Sequence, residues 1–212
     1  MKPKYLKPFV FLACLIPLGR LGWKALNAGL GANPIQVITW STGTWTLVFL
    51  IVTLAITPVR KVTKQYWLIQ FRRMFGLFAF FYVCLHFLTY IWLDQFFDLQ
   101  SITKDIAKRP FITVGFTAFI LLIPLALTST QASIRRLGKR WTRIHRLIYV
   151  TAVLGVIHYI WLVKKDIRKP VIYAAILSVL LGYRIVIWAW ARMSTSSRPE
   201  TAPVGNRTIA AD

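Results

Sequence analysis

Apolar residues along this chain gather into six blocks, separated by short stretches rich in lysine and arginine. The blocks fall at about 8–26, 41–59, 74–93, 111–129, 145–163 and 171–191. A helix rises about 1.5 Å per residue, so some 20 apolar residues suffice to cross a hydrocarbon core of about 30 Å. Only helices or closed barrels satisfy their backbone polar groups in lipid, and runs this long exclude barrel strands. The pattern predicts an all-α integral membrane bundle of about six transmembrane helices. Residues 1–192 read as one transmembrane domain. Residues 193–212, MSTSSRPETAPVGNRTIAAD, hold few large apolar side chains and read as a disordered cytoplasmic tail. The 94–110 connection reads as a short amphipathic helix, and no internal repeat is evident.

Composition agrees with the pattern. The chain has 212 residues and is 57% hydrophobic, well above the roughly 45–50% of soluble domains. Its charge is extreme: 27 Lys and Arg against six Asp and Glu, a net +21. A soluble chain of that charge would suggest nucleic acid. Here the basic residues lie between apolar spans and read as topology signals. The N-terminus carries Lys2, Lys4 and Lys7. The second-to-third connection carries Arg60, Lys61, Lys64, Arg72 and Arg73, and the fourth-to-fifth carries Arg135, Arg136, Lys139, Arg140, Arg143 and Arg146. The opposite side holds Asp94, Asp98, Asp105 and Asp166. Both termini are therefore expected on the cytoplasmic side. The fifth-to-sixth connection breaks the rule with Lys164, Lys165, Arg168 and Lys169. Trp92 and Trp161 are expected at the outer interface, Trp67 and Trp141 at the inner one.

Cys14 and Cys84 lie inside apolar blocks and make neither a disulfide framework nor a zinc site. The three histidines, His86, His145 and His158, all fall in or at the edge of spans. An ionisable group there is costly and marks a functional candidate, with helix–helix hydrogen bonding as the plainer alternative. His86 lies 13 residues past Arg73 and His158 lies 15 past Arg143, or about 20 and 22 Å into the membrane from the same side. Two imidazoles at one depth on different helices are what a six-coordinate haem iron needs. His145 lies about 20 Å below His158 on the same span, where a second haem would find Arg72 and Arg73 but no partner histidine. On a straight helix His145 and His158 also point about 140° apart, unless Gly155 marks a bend.

Other chemistries fit poorly. Three histidines spread over about 20 Å cannot meet one zinc ion. There is no CxxCH for covalent haem and no GxGxxG unit for a nicotinamide cofactor. Electrons would have to come from a separate protein or a lipid-soluble carrier. Arg20 and Arg184, inside spans, read either as holders of haem propionates, a quinone or a flavin phosphate, or as snorkelling cations.

The segment 109–165 carries LTSTQA, RRLGKRW, IHRLIY and IHYIW, and upstream stand AITP at 55–58, RRMFGL at 72–77 and LHFLTY at 85–90. Over about residues 5–192 these pieces resemble the MsrQ (YedZ) family, the haem-binding membrane subunits of bacterial periplasmic methionine sulfoxide reductase systems, in the ferric-reductase-like transmembrane class. The resemblance implies one or two haem b groups on His86, His158 and His145, and residence in the bacterial inner membrane. It implies an electron route from respiratory quinol to a periplasmic molybdopterin methionine sulfoxide reductase of the MsrP type, with a cytosolic flavin reductase as a further partner. FMN is implied too, without a site. Ferric-reductase relatives carry a second histidine on the third helix where this chain has Arg72.

The reading is thus an electron-transfer subunit rather than the catalytic subunit of an oxidoreductase, touching lipid and quinone but no nucleic acid. The alternatives are a stand-alone membrane ferric reductase, and a cofactor-free polytopic transporter or assembly factor whose histidines pack or relay protons.

Overall fold

The computed structural model describes residues 5–163 and 166–196; the tail from 197 onward, with Lys164 and Lys165, lies outside the described residues. Among the described residues nine α-helices follow one another: α1 (Leu6–Leu26), α2 (Pro34–Thr63), α3 (Ile69–Leu88), α4 (Leu99–Lys108), α5 (Pro110–Leu127), α6 (Gln131–Leu137), α7 (Lys139–His145), α8 (Leu147–Leu162) and α9 (Arg168–Ser196). No strand occurs among the described residues. Six spans are long and apolar enough to cross a membrane: α1, α2, Tyr66–Asp94 built on α3, α5, α7 with α8, and α9. The protein is a membrane bundle of the predicted kind. The last helix runs on to Ser196, past the start of the expected tail.

Local chemistry sets the ends. α2 begins with Pro34 behind Asn33, whose side chain accepts from the Gln36 N–H at 3.1 Å, and it ends at Lys64 in the left-handed region, φ 56°. α4 is the helix expected between 94 and 110. Asp98 caps it, taking hydrogen bonds from the Gln100 and Ser101 N–H groups and the Ser101 hydroxyl. Those bonds hold the Asp98 carboxyl below the usual carboxylate range. Pro110 then opens α5, and Thr113 at its first turn bonds back to the Ile106 carbonyl.

The fifth span is not one straight helix. Gly138, φ 47°, separates α6 from α7. At Arg146 the ladder tightens, the Arg146 N–H reaching Arg143 O and the Tyr149 N–H reaching Arg146 O. The break therefore lies beside His145 and not at Gly155.

α2 is the axis of the bundle, burying Leu47, Phe49, Leu50, Ile51 and Leu54. It packs most extensively on α3, as α5 does on α8. α1 is held at the edge. Tyr82, 1% exposed, donates to Cys14 O at 2.9 Å and accepts from the Leu18 N–H at 3.2 Å, so its hydroxyl is spliced into the α1 ladder. Phe9, Trp23, Val179 and Ile185 stand well exposed on the outer helices, a surface suited to lipid and not to water.

Pro58 lies inside α2 and has no N–H to give the Leu54 carbonyl. Arg184 of α9 answers that carbonyl at 2.7 Å and the Tyr149 hydroxyl at 2.9 Å. Part of the reason for a cation inside the last span is thus a backbone group freed by proline. Arg20, by contrast, is exposed on α1.

Candidate functional site

α2, α3, α5 and α8 surround a cavity of about 570 Å³, within the usual size of cofactor sites. Its walls are mainly apolar, with Leu47, Leu50, Val83, Phe87, Phe116, Phe119 and Leu122. Tyr90, Asp94, Arg109 and Lys169 are its polar members towards one edge. Phe87 stacks on Phe119 at 4.5 Å between centroids, an apolar wall for the cavity.

His86 from α3 and His158 from α8 both line this cavity, with ring centroids 6.2 Å apart and ring planes at 78°. The same local arrangement fixes each ring. His86 Nδ1 lies 2.9 Å from the Thr39 carbonyl on α2, and His158 Nδ1 lies 2.6 Å from the Phe111 carbonyl on α5. A carbonyl only accepts, so Nδ1 carries the proton and Nε2 keeps its lone pair. Both pairs are separated by 47 residues.

Four residues beyond each accepting carbonyl stands a glycine, Gly43 on α2 and Gly115 on α5. A Cβ on Gly43 would lie 3.0 Å from His86 Cε1, and one on Gly115 would lie 2.6 Å from His158 Nδ1. The absent side chains are what admit the imidazoles to the helix backbone. The sequence reading missed these two residues. The available signal was a glycine within an apolar span, which in membranes marks close approach.

The geometry suits two axial bonds to one iron. A metal–imidazole bond is about 2 Å, and with the nitrogen-to-centroid distance of each ring two such bonds place the centroids about 6 Å apart. Donor chemistry fits as well, because a neutral imidazole fixed through Nδ1 is the ordinary form of a metal-binding histidine.

His145 is not brought to this cavity. It ends α7, its Nε2 lies 3.0 Å from the Thr128 hydroxyl, and Trp141 stacks on it at 4.0 Å. Trp141 in turn donates its indole N–H to Thr128 O, so this tryptophan is occupied inside the bundle. Trp92 and Trp161 are more than half exposed.

The fold and this histidine pair define a class. The model for the ferric reductase like transmembrane component matches residues 39–156, a stretch that holds His86 and His145 and ends two residues short of His158. Similar chains narrow the class. One from Herminiimonas arsenicoxydans is 55% identical over 195 residues, 91% of this chain and 89% of its own length. Others from Bordetella pertussis (50% over 189 residues, 88% and 91%) and Rhodospirillum rubrum (54% over 178 residues, 84% and 86%) are equally well covered. Each of these relatives is named as the haem-binding subunit MsrQ of a protein-methionine-sulfoxide reductase. The chain belongs to the MsrQ family. No solved structure matches it.

Proposed function

We propose that this chain is the haem b electron-transfer subunit of a periplasmic protein-methionine-sulfoxide reductase, with His86 and His158 as the axial ligands of one haem. The observation that carries the reading is the paired tether: each Nδ1–H given to a helix carbonyl, each Nε2 left with its lone pair, and the rings 6.2 Å apart across an apolar cavity. A haem there supplies a one-electron carrier cycling between ferric and ferrous iron. The residues do the rest. Thr39 and Phe111 hold the proton at Nδ1 and orient the rings. Gly43 and Gly115 leave the space for them. Phe87, Phe116 and Phe119 keep water from the ligands.

The cavity edge marked by Asp94 and Arg109 lies beside α4, on the acid-containing side that the charge pattern places in the periplasm. Electrons leave by that side for a molybdopterin partner of the MsrP type, which returns methionine sulfoxide to methionine in envelope proteins. They enter from respiratory quinol on the opposite side, in the bacterial inner membrane with both chain termini cytoplasmic. His145 belongs to that entry side. With its Nε2 on Thr128 and with Arg72 where the resemblance to ferric reductases implies a histidine, it serves entry in preference to a second bis-histidine haem. FMN and a cytosolic flavin reductase rest on family resemblance alone.

The matched family model is named for ferric reductases, which makes a stand-alone ferric reductase the second reading. Dependence on a periplasmic partner separates the two. The first test is the dithionite-reduced minus oxidised spectrum of the purified chain, with haem quantified, beside His158→Ala. A low-spin b-type signal that His158→Ala abolishes is expected. An unchanged spectrum in that variant overturns the ligand assignment, and absence of haem after haem-sufficient expression overturns the electron-transfer reading.

A further inference from the structure

At the edge of the bundle opposite the histidine cavity, three arginines from three helices converge. Arg184 of α9 is fixed on Leu54 O and the Tyr149 hydroxyl, its guanidinium 5.0 Å from the Tyr149 ring centroid. Arg72 of α3 stands within electrostatic reach of Arg184 and of Arg60 on α2, with His145 beside Arg72. The group is under-satisfied. Arg60 Nε, Arg184 Nε and the Thr57 hydroxyl are all buried without a hydrogen-bond partner.

No described carboxylate offsets this charge. The one ion pair among the described residues is Arg109 with Asp105 at the other edge, while Asp94 lines the histidine cavity, Asp98 caps α4 and Asp166 accepts from the Arg168 N–H where α9 begins. Like charges gathered in a weakly polarisable setting repel, and buried donors without acceptors cost free energy. A topology signal explains basic residues that point to water, but it does not explain buried unpaired Nε atoms. Guanidinium groups are matched to the oxygens of a phosphate, which several can share. Val59 and Val62 on α2 and Ile185 and Trp188 on α9, all well exposed, flank the charged residues in sequence and provide an apolar border.

We propose that Arg60, Arg72 and Arg184, with the Thr57 hydroxyl, form a binding site for a phosphate group at the edge of the membrane away from the haem cavity. The phosphate comes either from the headgroup of an anionic phospholipid, whose chains the apolar border would meet, or from free phosphate.

The test uses the full-length chain purified in detergent, delipidated, with haem content recorded, against Arg60→Gln, Arg72→Gln and Arg60→Lys. Thermal stability is followed while phosphatidylglycerol, phosphatidylcholine or inorganic phosphate is titrated in. Stabilisation by phosphatidylglycerol whose apparent affinity falls about tenfold in the Gln variants, the loss of one charge-assisted hydrogen bond, with partial recovery in Arg60→Lys, establishes the lipid source. The same dependence with inorganic phosphate establishes the free anion. Stabilisation equal in wild type and both Gln variants, or none with either probe, overturns the site. Should Arg60→Gln not fold, Arg72→Gln and Arg60→Lys carry the comparison. Haem content measured in parallel keeps this outcome apart from that of the haem reading.

Discussion

Replacing Gly115 by alanine tests the histidine frame without touching a histidine. The new Cβ would stand 2.6 Å from His158 Nδ1 and 2.8 Å from its Cε1, where ordinary contact begins at 3.4 Å. The imidazole must therefore retreat by about 0.8 Å, since interiors are packed too densely for the helix to yield instead. That movement stretches the 2.6 Å bond to the Phe111 carbonyl and carries Nε2 off its line. Metal sites hold their ligand distances to about 0.2 Å, so the displacement exceeds what an axial bond accepts. Gly155→Ala is the control. It changes the same residue type on the helix that bears His158, but its Cβ meets only Leu47 Cδ1, at 3.6 Å. Alanine gains about 1 kcal/mol of helix propensity over glycine at either position, whereas overpacking at Gly115 costs about 1–3 kcal/mol. The assay is haem per chain and the reduced-minus-oxidised spectrum of monodisperse protein. Gly115→Ala should lose most of its low-spin haem while Gly155→Ala keeps it. A Gly115→Ala protein with wild-type haem content and spectrum would refute the reasoning, because the ring would then not depend on that space.

Gly43→Ala should act in the same direction and more mildly, since its Cβ comes no closer than 3.0 Å to His86; haem retention ordered wild type, Gly43→Ala, Gly115→Ala is the check. Tyr82→Phe removes the hydroxyl spliced between Cys14 O and the Leu18 N–H, which should lower stability by about 1–2 kcal/mol and loosen α1 selectively, read by hydrogen exchange of residues 6–26. The Asp98 carboxyl is held below its usual range, so its stabilisation of α4 is present above the unfolded value of about 4 and is lost as pH falls through the lower folded value. Hydrogen exchange over Leu99–Lys108, corrected for intrinsic rates, should quicken on acidification in wild type and not in Asp98→Asn, which still caps but does not titrate.

The spans were legible because their signal is one of length and polarity. Each apolar block that predicts a helix is matched by one in the structure, with ends shifted by about seven residues where α2 begins at Pro34 and about five where α9 reaches Ser196. The common level of His86 and His158, which line one cavity, was legible too, since depth follows from counting residues past the arginines at the ends of their spans. The interruption at Arg146 was not. Its sequence, IHRLIY, holds neither glycine nor proline, and the tightening is written in hydrogen bonds alone. The role of Arg184 was hidden because it depends on Pro58, 126 residues away in the chain. No repeat was visible either, for TWSTGTW around Gly43 and FITVGFT around Gly115 share little beyond the glycine.

That glycine is nonetheless half of a recurring device. A carbonyl on one helix, a glycine four residues on, and a histidine 47 residues beyond the carbonyl occur as Thr39, Gly43, His86 and again as Phe111, Gly115, His158. The need for it follows from the solvent. In lipid an imidazole N–H has no water to bond, and a side-chain acceptor would bring a further polar group to be satisfied. The helix backbone already supplies acceptors at every turn, and each carbonyl oxygen has a second lone pair beyond the one used in the ladder. Reaching that lone pair requires the imidazole to enter the space where a Cβ normally stands, and only glycine leaves it open. Once Nδ1 is fixed in this way, Nε2 has no freedom to seek another partner. The two helix pairs with the most extensive packing, α2 with α3 and α5 with α8, then set the distance between the two free nitrogens. The spacing that matters for an iron is therefore decided by helix packing, and the histidines report it.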